Sequence, residues 1–194
     1  MKNFKQGLIV FVFLFLITGV VYPLIVTLIG QIAFNEQVNG SLIYNNNHEI
    51  IASKLIGQPF QNPKLFWSRP SSTPDFPYNA LYSGGSNLGP TNPELIKLVQ
   101  ERTKYLRAND LKGQIPSCLV LGSGSGLDPD ITPSAAFAQI QRISKYTHIP
   151  ERVLDELVKK HIKKRQFLFF GADRVNVVEL NLELIEVEKQ YGRR

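Results

Sequence analysis

Cysteine is nearly absent from this chain. Cys118 is alone, so no internal disulfide can form and no thiol pair exists for a structural zinc site. It stands in "SCLVL", which reads as a short buried strand with the thiol as one more small apolar side chain. Histidine is scarce too, and His48, His148 and His161 lie at no metal-ligand spacing, so no metal is expected. Several catalytic signatures are also missing. No Lys follows the glycines of "GSGSGLDPDITP" (residues 122–133) before Lys145, which excludes a phosphate-binding P-loop there. The dinucleotide fingerprint fails because Leu127 or Pro129 occupies its third glycine position. Neither Ser123 nor Ser125 has glycine two residues to either side, so the nucleophile elbow is not met. Asp128 and Asp130 are spaced as in a calcium loop, but Thr132 and Pro133 take the later ligand positions.

Charge is absent over one long stretch. Nothing between Gln6 and Gln31 is ionisable except Tyr22, and "GLIVFVFLFLITGVVYPLIVTLIG" runs from Gly7 to Gly30. At ~1.5 Å per residue these 24 residues reach about 36 Å, enough for the ~30 Å hydrocarbon core with some tilt. A cleaved signal peptide would have a shorter apolar region and a small-x-small site, so an uncleaved anchor is the reading here. Pro23 would kink the helix and free the carbonyl of Gly19, with Thr18, Thr27 or a neighbouring helix to repair the bonding. Lys2 and Lys5 precede the span and the next cation is Lys54, which leaves the N-terminus in the cytoplasm. The expected organisation is residues 1–6 cytoplasmic, 7–33 a single transmembrane helix of the cell (inner) membrane, and 34–194 an extracytoplasmic α+β domain.

Net charge is +6, with the densest cluster in "KKHIKKR" (residues 159–165). It reads as a solvated face beside a helix C-terminus, with anionic headgroups or an acidic partner as the other readings. Aromatic interleaving and known motifs for nucleic acid are lacking, so no nucleic-acid partner is expected. Within 34–194, "SLIY" and "IIASKLIG" read as strands. A long loop follows, punctuated by Pro59, Pro63, Pro70, Pro74, Pro77 and Pro90, because proline disfavours both ladders and helix interiors. Asn92 with Pro93, Thr132 with Pro133, and Pro150 mark three helix starts. Val178, Leu180, Leu182 and Leu184 alternate with polar residues, the pattern of a half-buried strand. Trp67 and Phe66 read as core, and Arg69 as a guanidinium that pins the loop or binds an anion.

Several segments, taken in order along nearly the whole chain, resemble one family: "FLFLITGVVYPL", "NGSLI", "LIGQPF", "RPS", "YNALYSGGSNLGPTNPEL", "GSGLDPDITP" and "RVNVVELNL". The family is the C subunit of the bacterial Kdp potassium-transporting P-type ATPase. The resemblance implies a non-catalytic subunit whose partners are a potassium-translocating subunit, a P-type ATP-hydrolysing subunit and a small membrane peptide, with membrane lipid around the span. It further implies a chaperone-like role that raises the ATP affinity of the hydrolysing subunit. No cofactor would be firmly bound, and ATP would act through the complex. The residues carrying the resemblance are expected to shape the fold or contact a partner: Arg69, Pro70, Ser71, Tyr78, Asn79, Ser83, Gly84, Gly85, Ser86, Asn87, Ser123, Gly124, Ser125, Gly126, Leu127 and Asp128. "YSGGS" is similar to the signature motif of ABC transporters, which implies nucleotide contact at Ser83, Gly84, Gly85 and Ser86. With these residues outside the cell, an effect on ATP affinity would instead be coupling through the membrane subunits. The alternative function is a membrane-anchored extracytoplasmic serine hydrolase using Ser123 or Ser125.

Overall fold

The computed structural model describes residues 2–45 and 47–191. They fall into two compact units, residues 1–42 and 43–194.

The first unit is built on the apolar run. Helix α1 (Lys2–Leu16) continues through a π-helical stretch, Ile17–Val21, into α2 (Tyr22–Ala33), and a short helix α3 (Asn35–Val38) follows. The helix from Asn3 to Ala33 is long and apolar enough to cross a membrane, and none of its most apolar window is buried by the rest of the chain. The π stretch lies directly before Pro23. The Tyr22 N–H donates to the Ile17 carbonyl, five residues back, so one extra residue enters the turn where the proline ring would meet the helix. Of the groups the sequence offered to repair the bonding, Thr18 is used elsewhere: its Oγ1 donates to the Leu14 carbonyl at 2.9 Å.

The second unit mixes helix and sheet. Strands β1 (Leu42–Tyr44) and β2 (Ile50–Ser53) pair in a two-stranded ribbon. After the proline-rich loop come α4 (Pro93–Ala108), β3 (Asp130–Ile131), α5 (Pro133–Phe137), α6 (Ile140–Thr147), α7 (Glu151–His161), β4 (Ile162–Lys163), β5 (Arg174–Asn176) and α8 (Val177–Tyr191). The second sheet is antiparallel in the order β3-β5-β4, with Ile131 opposite Val175 and Ile162 opposite Val175 on its other side. The helix starts follow their caps. The Asn92 side chain accepts the Glu94 N–H at 2.8 Å, and Thr132 Oγ1 accepts the Ala135 N–H at 3.3 Å.

Two expected strands are helical. "SCLVL" forms a 3₁₀ turn over Ser117–Leu119, with Cys118 and Leu119 buried, because the run is too short and too enclosed by proline and glycine to pair with another strand. Residues 178–184 belong to α8. Asn176 Oδ1 accepts the N–H groups of Val178 and Glu179, which starts a helix, and Val177, Leu180, Asn181 and Leu184 then share its buried face. The alternation of residues 178, 180, 182 and 184 coexists with this helical spacing, and packing against α7 and β5 selects the helix. The Thr132 helix is also interrupted, with α5 and α6 separated at Ala138–Gln139.

The core gathers Phe66, Leu111, Ile143, Ile149, Leu154, Val158, Val175, Leu180 and Leu184. Phe66 and Trp67 come from the loop, not from any helix or strand, so the loop is a structural part of the core. Burying that backbone requires partners for its polar groups. Asn181 supplies them for Phe66, accepting its N–H at 2.8 Å and donating to its carbonyl at 2.9 Å. Gln139 does the same for Trp67, at 2.7 and 3.3 Å. Arg142 donates to the carbonyls of Pro63 and Leu65 and to Gln139, and its guanidinium lies 3.7 Å from the Trp67 ring centroid. Burial brings its pKa down to about 10.

Candidate functional site

The motif residues of two separate segments meet at one place. From the loop come Arg69, Pro70, Ser71, Tyr78, Asn79 and residues 83–86; from the stretch after the 3₁₀ turn come residues 122–128. Arg69 ties them most directly. One guanidinium nitrogen bonds Asp128 Oδ2 at 2.9 Å and the other donates to the Gly122 carbonyl at 3.2 Å. Both side chains are largely removed from solvent, which strengthens a charge-assisted bond relative to an exposed one. Of the two roles weighed for Arg69, this geometry is that of a pin.

Ser71 is the second tie. Its hydroxyl donates to the Gly126 carbonyl at 2.7 Å and accepts the Tyr78 N–H at 2.9 Å. The Tyr78 hydroxyl donates to the Arg69 carbonyl at 2.6 Å, closing a ring of contacts around Pro70. Burial pushes the Tyr78 hydroxyl up to about 12, so it stays a donor at any physiological pH. Asn79 is buried: its Nδ2 donates to the Pro74 carbonyl and its Oδ1 accepts the Leu81 N–H, a local Asx turn.

The glycines let the two backbones meet. The Gly84 N–H donates to the Ser125 carbonyl at 2.8 Å, and Ser83 Oγ donates to the same carbonyl at 3.2 Å. A side chain at Gly126, which has φ +68°, would stand 2.6 Å from the Gly84 carbonyl and 2.7 Å from Thr73 Cγ2. A Cβ at Gly85 would lie 3.1 Å from the Gly124 carbonyl, and one at Gly57 would overlap the Tyr78 ring. In contrast, the space around Gly124 and Gly84 is open. Ser86 and Asn87 remain exposed.

The chemistry available here is limited. Ser123 Oγ and Ser125 Oγ face each other at 3.4 Å, and Ser125 Oγ accepts the Leu127 N–H at 3.1 Å. Among the described residues no histidine bonds either serine; His161 faces the Leu157 carbonyl and Glu183. The serine-hydrolase arrangement is therefore not assembled. Within "YSGGS" the Gly84 N–H is already committed to the Ser125 carbonyl. Asp130 bonds Arg174 at 3.0 Å, and burial together with neighbouring Asp128 raises its pKa above the usual carboxylate value.

Sequence reasoning missed Gln139, Arg142 and Asn181. Arg142 and Asn181 lie on α6 and α8, and Gln139 stands directly before α6; each reads as an ordinary polar residue, and the only signal was a polar side chain on an otherwise apolar face, as with Asn181 between Leu180 and Leu184.

Comparison with known proteins agrees with this fold-wide set of motifs. A family model described as "KdpC: K+-transporting ATPase, c chain" matches residues 4–186. Proteins named "Potassium-transporting ATPase KdpC subunit" are similar over almost their whole length. The one from Citrifermentans bemidjiense is 46% identical over 184 residues, covering 95% of this chain and 97% of its own. That from Geotalea uraniireducens is 45% identical over 189 residues, covering 97% and 100%. That from Geobacter sulfurreducens is 46% identical over 184 residues, covering 95% and 97%. The chain belongs to this family, the C subunits of a potassium-transporting ATPase, and so to an assembly with partner subunits.

Proposed function

We propose that the chain is the accessory, non-catalytic subunit of a high-affinity, ATP-driven potassium uptake complex. It is anchored in the inner membrane by Asn3–Ala33, with its N-terminus cytoplasmic and residues from about 34 onward outside. The carrying observation is that helix: about 46 Å long at ~1.5 Å per residue, continuous, and with its apolar side chains exposed all round. Such a surface requires lipid or the apolar face of another membrane subunit. The π stretch before Pro23 supports a protein neighbour, because an irregular turn in a span offers a shaped surface for helix packing.

The partners are a potassium-translocating subunit, a P-type ATP-hydrolysing subunit and a small membrane peptide. The chain stabilises their assembly and raises the ATP affinity of the hydrolysing subunit, acting as a catalytic chaperone. Two features favour coupling through the membrane subunits over direct contact of residues 83–86 with ATP. The positive-inside rule applied to Lys2 and Lys5 favours an outside location for the later residues, and the Gly84 amide is engaged within the domain.

Reporter fusions after residue 40 and at the C-terminus should be active only in an extracytoplasmic location; two cytoplasmic signals would restore direct ATP contact. A tag on this chain should recover the potassium and ATPase subunits, and recovery without them would sink the proposal. ATPase assays with and without the chain should show a lower apparent KM for ATP when it is present.

A further inference from the structure

Beyond the span and the interlocked loops, the most conspicuous feature of the described surface is the hairpin between β4 and β5. Lys163 pairs with Arg174 across its base, and Gln166 bridges Phe170 through bonds of 3.0 and 2.9 Å, leaving Phe167, Leu168 and Phe169 as the tip. Phe167 and Leu168 are 80% and 90% exposed, and Phe169 and Phe170 are exposed as well. The rings touch one another, Phe169 and Phe170 at 4.3 Å between centroids, but cover no core. Phe167 and Leu168 adopt φ +50° and +70°, a conformation that bulky residues rarely hold and that glycine or asparagine would take more easily. An apolar tip kept at such positions serves something outside the chain.

We propose that this tip is a second membrane contact, inserting Phe167, Leu168 and Phe169 into the interface of the bilayer that holds the N-terminal helix. The flanks carry the matching charge. Lys163, Lys164 and Arg165 stand at the tip's base, and Arg165 forms no ion pair among the described residues. Lys163 and Lys164 pair with Glu179 and Asp173, but these exposed pairs hold weakly, so the lysines can turn to headgroup phosphates. An apolar tip ringed by cations is the composition of interfacial anchors on anionic lipid. A lipid occupant is favoured over a groove on a partner protein because the same chain carries the bilayer span. The proposal rests on the anchoring of the chain described above.

The test uses the full chain with Cys118→Ala, reconstituted in phosphatidylcholine–phosphatidylglycerol vesicles. A fluorophore is placed through Leu168→Cys, or through Lys97→Cys on α4 as a reference. Nitroxide-labelled lipid should quench the probe at 168 at least about threefold more than at 97, since interfacial side chains sit ~5–10 Å into the headgroup and acyl boundary. Phe167→Ser with Phe169→Ser should bring position 168 down to the reference. Arg165→Gln should lower the inserted-to-free ratio about fivefold on anionic vesicles and not on neutral ones. Circular dichroism of each variant checks that it is folded. Equal quenching at both sites in chains that float with the vesicles overturns the proposal and leaves the anchor standing. Chains that do not float overturn both. Shielding at 168 that appears only when the other ATPase subunits are added overturns it in favour of a protein groove.

Discussion

The loops joined by Arg69 and Ser71 and the hairpin tip at Leu168 both lie outside helices and strands, yet their side chains go to opposite places. In the first, guanidinium, hydroxyl and amide groups are used up inside the domain: Arg69 on Asp128 and Gly122, Ser71 on Gly126 and Tyr78, Gly84 on Ser125. In the second, a run of apolar side chains has almost nothing inside the domain to touch. Irregular backbone therefore has two separate causes here. One loop is irregular because its polar groups satisfy each other at close range, and the other because its apolar groups are addressed outward.

The largest expected effect breaks the interlock. Gly126→Val forces a Cβ toward the Gly84 carbonyl in a left-handed backbone and should cost about 3 kcal/mol or more, lowering Tm by roughly 6–12 °C. Gly124→Ala, with open space around it, should stay within about 0.5 kcal/mol. A thermal melt followed by Trp67 fluorescence separates the two. Next comes Asn181→Ala, which leaves the buried N–H and carbonyl of Phe66 without partners and should cost about 2–4 kcal/mol in a denaturant titration. Arg69→Gln should cost about 1–2 kcal/mol, and a double-mutant cycle with Asp128→Asn should recover a coupling of about 1 kcal/mol; additive effects would mean the two do not act as a pair.

Two smaller effects sharpen the contrast. Asp130 has a pKa raised above 3.8 by burial and by Asp128. Its contribution to stability is therefore fully present below 3.8 and lost as pH rises through the higher folded value. Asp130→Asn should gain on the natural sequence as pH rises from 3.8 through the raised folded value, by at most about 1 kcal/mol since Arg174 offsets part of the cost. A stability profile against pH in which the difference has the opposite slope would contradict this. Phe167→Ser with Phe169→Ser should change domain stability by under about 0.5 kcal/mol in the same titration, because those side chains are mostly exposed and add nothing to the core.

Much of the chain was legible because the signals are local. Asn92 and Thr132 cap the helices that begin at Pro93 and Pro133, since a cap needs only a side-chain oxygen and amides two or three residues on. The proline-rich segment forms no regular element between residues 54 and 92. Residues 178–184 were misread because alternation and helical spacing overlap there, and the cap at Asn176, which breaks the tie, also fits a turn. "SCLVL" was misread because a short apolar run carries no period of its own. The small residues of 122–126 could be read as a shaped turn for the fold or for a partner, but not matched to what they make room for, since Gly84 and Thr73 lie some forty or more positions earlier in the chain.

The sequence by itself determined the apolar span, the helix starts and the family, each written in contiguous residues whose chemistry acts on immediate neighbours. Only the tertiary structure decided that Arg69 is a pin, that Gln139, Arg142 and Asn181 hold the loop in the core, and that the aromatic hairpin is left uncovered. Burial and hydrogen-bond pairing depend on which distant segments meet, and close approach of two backbones leaves no trace in the spacing of either one.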